Sequence, residues 1–208
     1  MLESIPYWPD LRCHLTDDVT EPNCEPYQVR TSQEIATRAL TLFGVVALGL
    51  GASREKIIPW LRDEGLCEAL TPRERELVDS ETPTQKQLIN ASWQSEALLV
   101  LLWVLRKVDD LPPGNVQCDT ALFRQLMPPY ADILVKDFVR LARRRSDEEL
   151  TNQAILIQEM HWKARDAAIH GTAAPQEIDI EIVQERHHAI NWVIGYERLS
   201  WDEVTTDT

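Results

Sequence analysis

Residue types able to do chemistry crowd into the end of this chain. Glu185-Arg186-His187-His188-Ala189-Ile190-Asn191-Trp192 is followed by Ser200-Trp201-Asp202-Glu203 and then Thr205-Thr206-Asp207-Thr208. A related set lies upstream, in His161-Trp162-Lys163-Ala164-Arg165-Asp166 and at Glu96, the lone acid before an apolar run. Imidazoles and carboxylates in one place can bind a divalent metal or exchange protons as general acid and base. The spacing speaks against a metal: neither His-x-x-x-His nor His-Glu-x-x-His occurs, and no Cys/His zinc pattern is present. With seven glycines in the chain there is little room for a phosphate-cradling loop, and no Gly-x-Ser-x-Gly elbow appears. The sequence therefore leads us to expect neither a metal nor a cofactor.

Helical phase decides which of these side chains can meet. From Asp147 to about His170 the residues Leu150, Ala154, Ile157, Ala164 and Ala168 recur at steps of three and four, and His161 falls within that stripe. Over about 178–196, Val183, His187, Ile190 and Ile194 form a second stripe with Arg186 at its edge, which leaves His188 on the far side near Gln184 and Asn191. His161, Arg186 and His187 are thus expected to face inward. A buried polar group without a partner costs about 1–3 kcal/mol, so Arg186 demands a carboxylate or several carbonyls. Glu96, Asp166, Asp202 and Asp207 are the candidates. Two readings follow for the cluster Glu96, His161, Arg165, Glu185, Arg186, His187, Asn191, Trp201, Asp202 and Asp207. One is a buried polar network that docks the last helices and the tail. The other is a site in which His161, His187 and one or two carboxylates bind or catalyse. Ser200-x-x-Glu203 reads as a capping box, which gives Glu203 a local role.

The elements that must hold these residues read as helices almost throughout. Thr31-x-x-Glu34 is a capping box before a run from Ile35 to Leu50 that is apolar nearly all round, as in a buried central helix. A helix from Ser53 to about Glu64 contains Pro59, which should kink it. Thr71-Pro72-x-Glu74 and Thr82-Pro83-x-Gln85 both place proline at the first helical position; the second should open one long helix through Trp93 and Glu96 to about Val108. Leu111-Pro112-Pro113-Gly114 is a turn. A short helix after Asp119 ends at Pro128-Pro129, another covers about 131–144, and Ser146-x-x-Glu149 starts the long helix that carries His161. Pro6, Pro9, Pro22 and Pro26 mark residues 1–30 as an extended arm. The expected fold is all-α: a single-domain irregular helical bundle of six to eight helices over 31–208, with that arm at its N-terminus.

Charge narrows the function classes. The 208 residues carry a formal net charge of −13. Acids concentrate at the ends, with six acids and two arginines in residues 1–30 and eight acids and two arginines in residues 176–208. That balance disfavours nucleic acid and an anionic membrane surface. Arg143-Arg144-Arg145 follows a helix, where cations complement the dipole. The apolar run Ala97–Leu105 is nine residues, against roughly 20 for a bilayer span, and Met1–Tyr7 lacks the basic start and apolar run of a secretory signal. Cys13, Cys24, Cys67 and Cys118 form no Cys-x-x-Cys pair, as expected of reduced thiols in a cytoplasmic protein. Trp93 and Trp103 fit the helix core; Trp8, Trp162 and Trp192 could instead line a groove or a partner surface. The expected activity is protein–protein contact with a partner of basic surface, one version being an immunity-type neutraliser of a toxin. The rival expectation is a small enzyme or metal-binding protein using the polar cluster.

Thr31–Leu42 (TSQEIATRALTL), Ala91–Leu105 (ASWQSEALLVLLWVL), His161–Asp166, Glu185–Trp192 (ERHHAINW) and Trp201–Thr208 (WDEVTTDT), in that order, resemble a bacterial family catalogued as domain of unknown function 4272. The resemblance runs from about residue 28 to the end. It implies that Glu96, His161, Arg165, Glu185, Arg186, Asn191, Trp201, Asp202 and Asp207 match family motif positions, and it brings no reaction with it.

Overall fold

The computed structural model describes residues 28–208, and among them there are helices, turns and loops but no strand. The all-α expectation holds. The extended arm over 1–30 lies outside the described residues except for Gln28–Arg30, as do Trp8, Cys13 and Cys24.

The local start signals act as read. Thr31 and Glu34 close a reciprocal capping box on α1 (Ser32–Gly49), which is buried from Ile35 to Leu48 but for Thr37. Arg38 is buried inside this helix, the one charge in its otherwise apolar stretch. α2 (Arg54–Asp63) runs on through Pro59. Thr71 and Glu74 cap α3 (Pro72–Asp79), with Pro72 in the first turn. Ser146 and Glu149 cap α8 (Asp147–Ile169), and Asp179 caps α9 (Ile180–Ile194).

The long helix expected after Thr82 is instead two. α4 (Gln85–Trp93) is capped by Thr84 and Gln87, two residues later than expected, because these two side chains satisfy each other's free amides. α4 ends at Gln94, and α5 (Ser95–Val104) begins directly after it. The break has a physical reason. α4 buries only Ala91 and lies across α1, whereas α5 buries every residue from Ser95 to Val104. One straight helix cannot do both. Close approach of α1 and α4 needs Gly49, where a Cβ would sit 2.5 Å from the backbone nitrogen of Ser92. α5 also stops at Val104, short of the expected Val108, and Arg106 there adopts φ 58°.

Two short helices, α6 (Phe123–Leu126) and α7 (Val135–Arg140), follow. α7 covers only part of the expected 131–144, because Ala142 and the three arginines after it leave the helix to pack elsewhere. Arg145 donates to the carbonyls of Trp103 (2.9 Å), Val108 (3.1 Å) and Asp109 (2.7 Å) and lies over the Trp103 ring. Arg144 pairs with Asp147. So Arg145 serves the C-terminal end of α5, not α7. α9 packs along both α8 and α5, and α5 also packs on α1. α5 is therefore the inner element against which α9, the carrier of most candidate residues, is set.

Candidate functional site

The sequence-selected cluster separates into three parts of the molecule. The first is a closed polar core. Arg186 and Glu96 are each 1% exposed and pair through Nε and Nη2, both 2.9 Å from Glu96 Oε2. Arg186 Nη1 also donates to the carbonyls of Pro112 (2.5 Å) and Pro113 (3.2 Å), and Nη2 to that of Val116 (2.9 Å). The other Glu96 oxygen accepts the Cys118 amide at 2.7 Å. Of the four candidate partners of Arg186, Glu96 is the one it meets, with carbonyls taking its remaining donors. The loop 112–118 is thereby sewn to α5 and α9. Between Glu96 and Arg186, burial raises the Cys118 thiol to about 12, which keeps it an unreactive thiol.

His161 of α8 and His187 of α9 meet in the same interior, with Nδ1 atoms 3.0 Å apart and rings edge-to-face. One Nδ1–H donates to the other Nδ1, so the accepting ring is neutral, and burial favours the neutral form of both. Burial, with the nearby Arg165 charge, lowers His161 to about 4; burial, with His161 and His188, lowers His187 to about 3. The expected inward phase is correct for both, and Ala164 lines the stripe; Ala168 is exposed, and Ala167 takes its place. The 3.6-residue period of a long helix drifts by its last turn.

The second part is the tail. His188 is not free on an outer face: its Nε2 donates to the Trp201 carbonyl at 2.8 Å and its ring stands edge-on to Trp201. Asn191 donates to the Thr205 carbonyl at 3.0 Å. Trp201 is buried, packed against Trp192 and beneath the Arg38 guanidinium. That face of α9 looked outward in a helical wheel because the wheel contains no tail. Asp202 accepts the Arg73 amide at 3.3 Å in the first turn of α3, and Asp207 accepts from the Thr205 hydroxyl at 2.7 Å. Neither is bonded to His161 or His187. Glu203 accepts from the Ser200 hydroxyl and amide, the local role expected, closing a turn rather than a regular helix.

The third part is Glu185, which leaves its neighbour Arg186 to face an open cleft of about 670 Å³. Val45 of α1, the α3 residues Arg73, Glu74, Glu76 and Leu77, Gln87, Asn90, Ala91 and Trp93 of α4, the turn residue Gln94, and Glu181, Gln184 and Glu185 of α9 form its walls. Glu74 is neutralised by the buried Arg38, while Glu76, Glu181 and Glu185 make no ion pair among the described residues. Glu185 also makes no hydrogen bond there. Burial and the charge of Glu96 raise its carboxyl to about 7. Gln94 Oε1 is shielded from solvent and accepts no hydrogen bond, a state that costs about 1–3 kcal/mol. A cleft of this size falls in the range of ligand pockets.

The sequence singled out Glu185 for the wrong company and missed Arg38, Glu74, Gln87, Asn90 and Gln94. Arg38 alone carried a signal, as a charge within an apolar helix. Trp93, expected in the helix core, is instead half-buried and lines the cleft; Trp103 and Trp192 are buried, and Trp162 is exposed. Cys67 and Cys118 are free thiols. Among the described residues, no helix is long and apolar enough to cross a membrane, and no three His, Cys, Asp or Glu side chains are grouped to hold a metal.

A search of curated proteins and one of solved structures return no match. A family model does match, over residues 19–204, which takes in the closed core, the cleft and the tail as far as Val204 but not Asp207. The chain belongs to the family described as Domain of unknown function (DUF4272).

Proposed function

We propose that this is a binding protein of the cytoplasm that recognises a basic protein partner through the cleft between α3, α4 and α9. The observation that carries the proposal is the charge of that cleft. Glu76, Glu181 and Glu185 face it without a paired cation, against Arg73 alone. The net charge of −13 adds long-range attraction for a cationic surface and steers its approach. Neutralisation of a basic toxin is one activity of this kind. The reading as a small enzyme built on His161, His187 and Asp202 draws no support from the geometry. That imidazole pair is spent on itself, and Asp202 sits at the start of α3.

The test is differential capture. Wild-type protein and a Glu76→Lys/Glu181→Lys variant, both exposed-site substitutions, are immobilised and exposed to lysate, and the retained proteins are compared. A basic protein held by wild type, lost by the variant and released near 0.5 M salt is the expected result. The same proteins held by both forms, or retention indifferent to salt, would end the proposal.

A further inference from the structure

The cleft has one end with a more specific composition. Glu185 lies close enough to Glu96 to feel its charge, and Gln94 precedes Glu96 by two residues, so both belong where α9 meets the α4–α5 turn. Trp93, adjoining Gln94, adds an aromatic wall, and Asn90 one turn earlier adds an amide. These are a carboxylate without a partner, an amide carbonyl without a donor, and an indole.

We infer that this end of the cleft is a subsite for an arginine side chain of the partner, with Glu185 and Gln94 as its hydrogen-bond acceptors. The inference rests on the basic-partner reading and narrows it. A guanidinium brings five N–H donors in one plane, pairs with a carboxylate in two parallel bonds and stacks on aromatic faces; an ammonium is a strongly hydrated point charge that does none of this as well. The Gln94 side chain is only half-buried, so a turn about its terminal torsion delivers the unpartnered oxygen to a donor in the cleft. Arg38 already shows the same chemistry nearby, held between Glu74 and the Trp201 ring. A bound cation ionises Glu185, so binding strengthens as pH rises from 6 to 8. The other charged groups facing that carboxyl are Glu181 on its own helix, Glu96 behind it, and Arg73, Glu74 and Glu76 across the cleft.

The experiment titrates the full chain at pH 8 with blocked Gly-Arg-Gly, its lysine counterpart and its citrulline counterpart, followed by NMR shifts of the Trp93 indole and the Gln94 side-chain amide. We expect saturable shifts with the arginine peptide, affinity at least about 5-fold lower for lysine, and no saturation with citrulline, which keeps the shape and loses the charge. Glu185→Gln should weaken the arginine peptide about 10-fold with no fall in melting temperature. Glu181→Gln, on the exposed rim, should weaken it by about 2-fold or less. Equal binding of lysine and arginine overturns the subsite and leaves the basic-partner reading standing. Binding of citrulline, or an arginine affinity untouched by Glu185→Gln, also overturns the subsite. Absence of arginine binding at these nuclei overturns it as well, while the differential capture experiment separately judges the broader reading.

Discussion

Glu185 and Arg186 are consecutive residues of one helix with opposite fates. Arg186 turns into a closed interior where every donor has an acceptor: Glu96, Pro112, Pro113 and Val116. Glu185 turns into a cleft where it has none among the described residues. The same polar composition thus builds a lock on one side of α9 and an unfilled surface on the other. The lesson is that satisfaction, not residue type, separates structure from site: a buried network with its hydrogen bonds complete has nothing left to offer a ligand.

Substitutions can break this contrast, and the largest effect belongs to the lock. Arg186→Met should destabilise by about 3–5 kcal/mol, read by urea denaturation, because it strands the Glu96 carboxylate in the interior. The double substitution Glu96→Leu/Arg186→Met should recover only part of that loss, since the three carbonyls and the Cys118 amide still lack partners. Full recovery would show that the carbonyl bonds contribute little.

The two sides should also titrate in opposite directions. His161 and His187 have folded values of about 4 and 3, below the ordinary histidine value. The unfolded chain therefore binds their protons first, and stability present above about pH 6.5 is lost as pH falls toward 4, at up to about 1.4 kcal/mol per pH unit for each ring. A His161→Leu/His187→Leu pair should flatten that acid limb in melting curves taken from pH 7 to 4. Glu185, raised to about 7, has the reverse linkage. Its contribution is full below the ordinary carboxylate value and is lost as pH rises through 7. Glu185→Gln should then stabilise the protein at pH 8 by about 1 kcal/mol or less, discounted because the side chain is half-buried. Destabilisation at that pH would place Glu185 inside the lock rather than in the cleft.

The smallest effect is expected at the tail carboxylates. Asp202→Asn and Asp207→Asn should each change stability by about 0.5 kcal/mol or less, because each accepts a single bond, Asp202 at a half-buried and Asp207 at an exposed position. A large loss at Asp202 would reveal that its contact with the start of α3 anchors the tail.

Much of the fold was legible because its signals are local. The boxes Thr31/Glu34, Thr71/Glu74 and Ser146/Glu149 join residues three apart, and helical phase alone turned His161, Arg186 and His187 inward. The break at Gln94 was hidden because both halves are good helix; only the different depths of α4 and α5 separate them. The cleft was illegible for the same reason. Its walls come from residues 45 to 185, and nothing near Gln94 or Glu185 in the chain marks them as neighbours.

What the sequence determined by itself is the all-helical class, the helix starts with capping boxes at Thr31, Thr71 and Ser146, the inward phase of the polar residues and the demand of Arg186 for partners, since capping and burial cost act within a few residues. Tertiary structure alone chose Glu96 from four possible acids, folded the Trp201 tail over His188 and Asn191, and left Glu185 without a partner. Those outcomes depend on which surfaces come together across as many as 90 residues, and a sequence of charges and apolar steps does not encode distance through space.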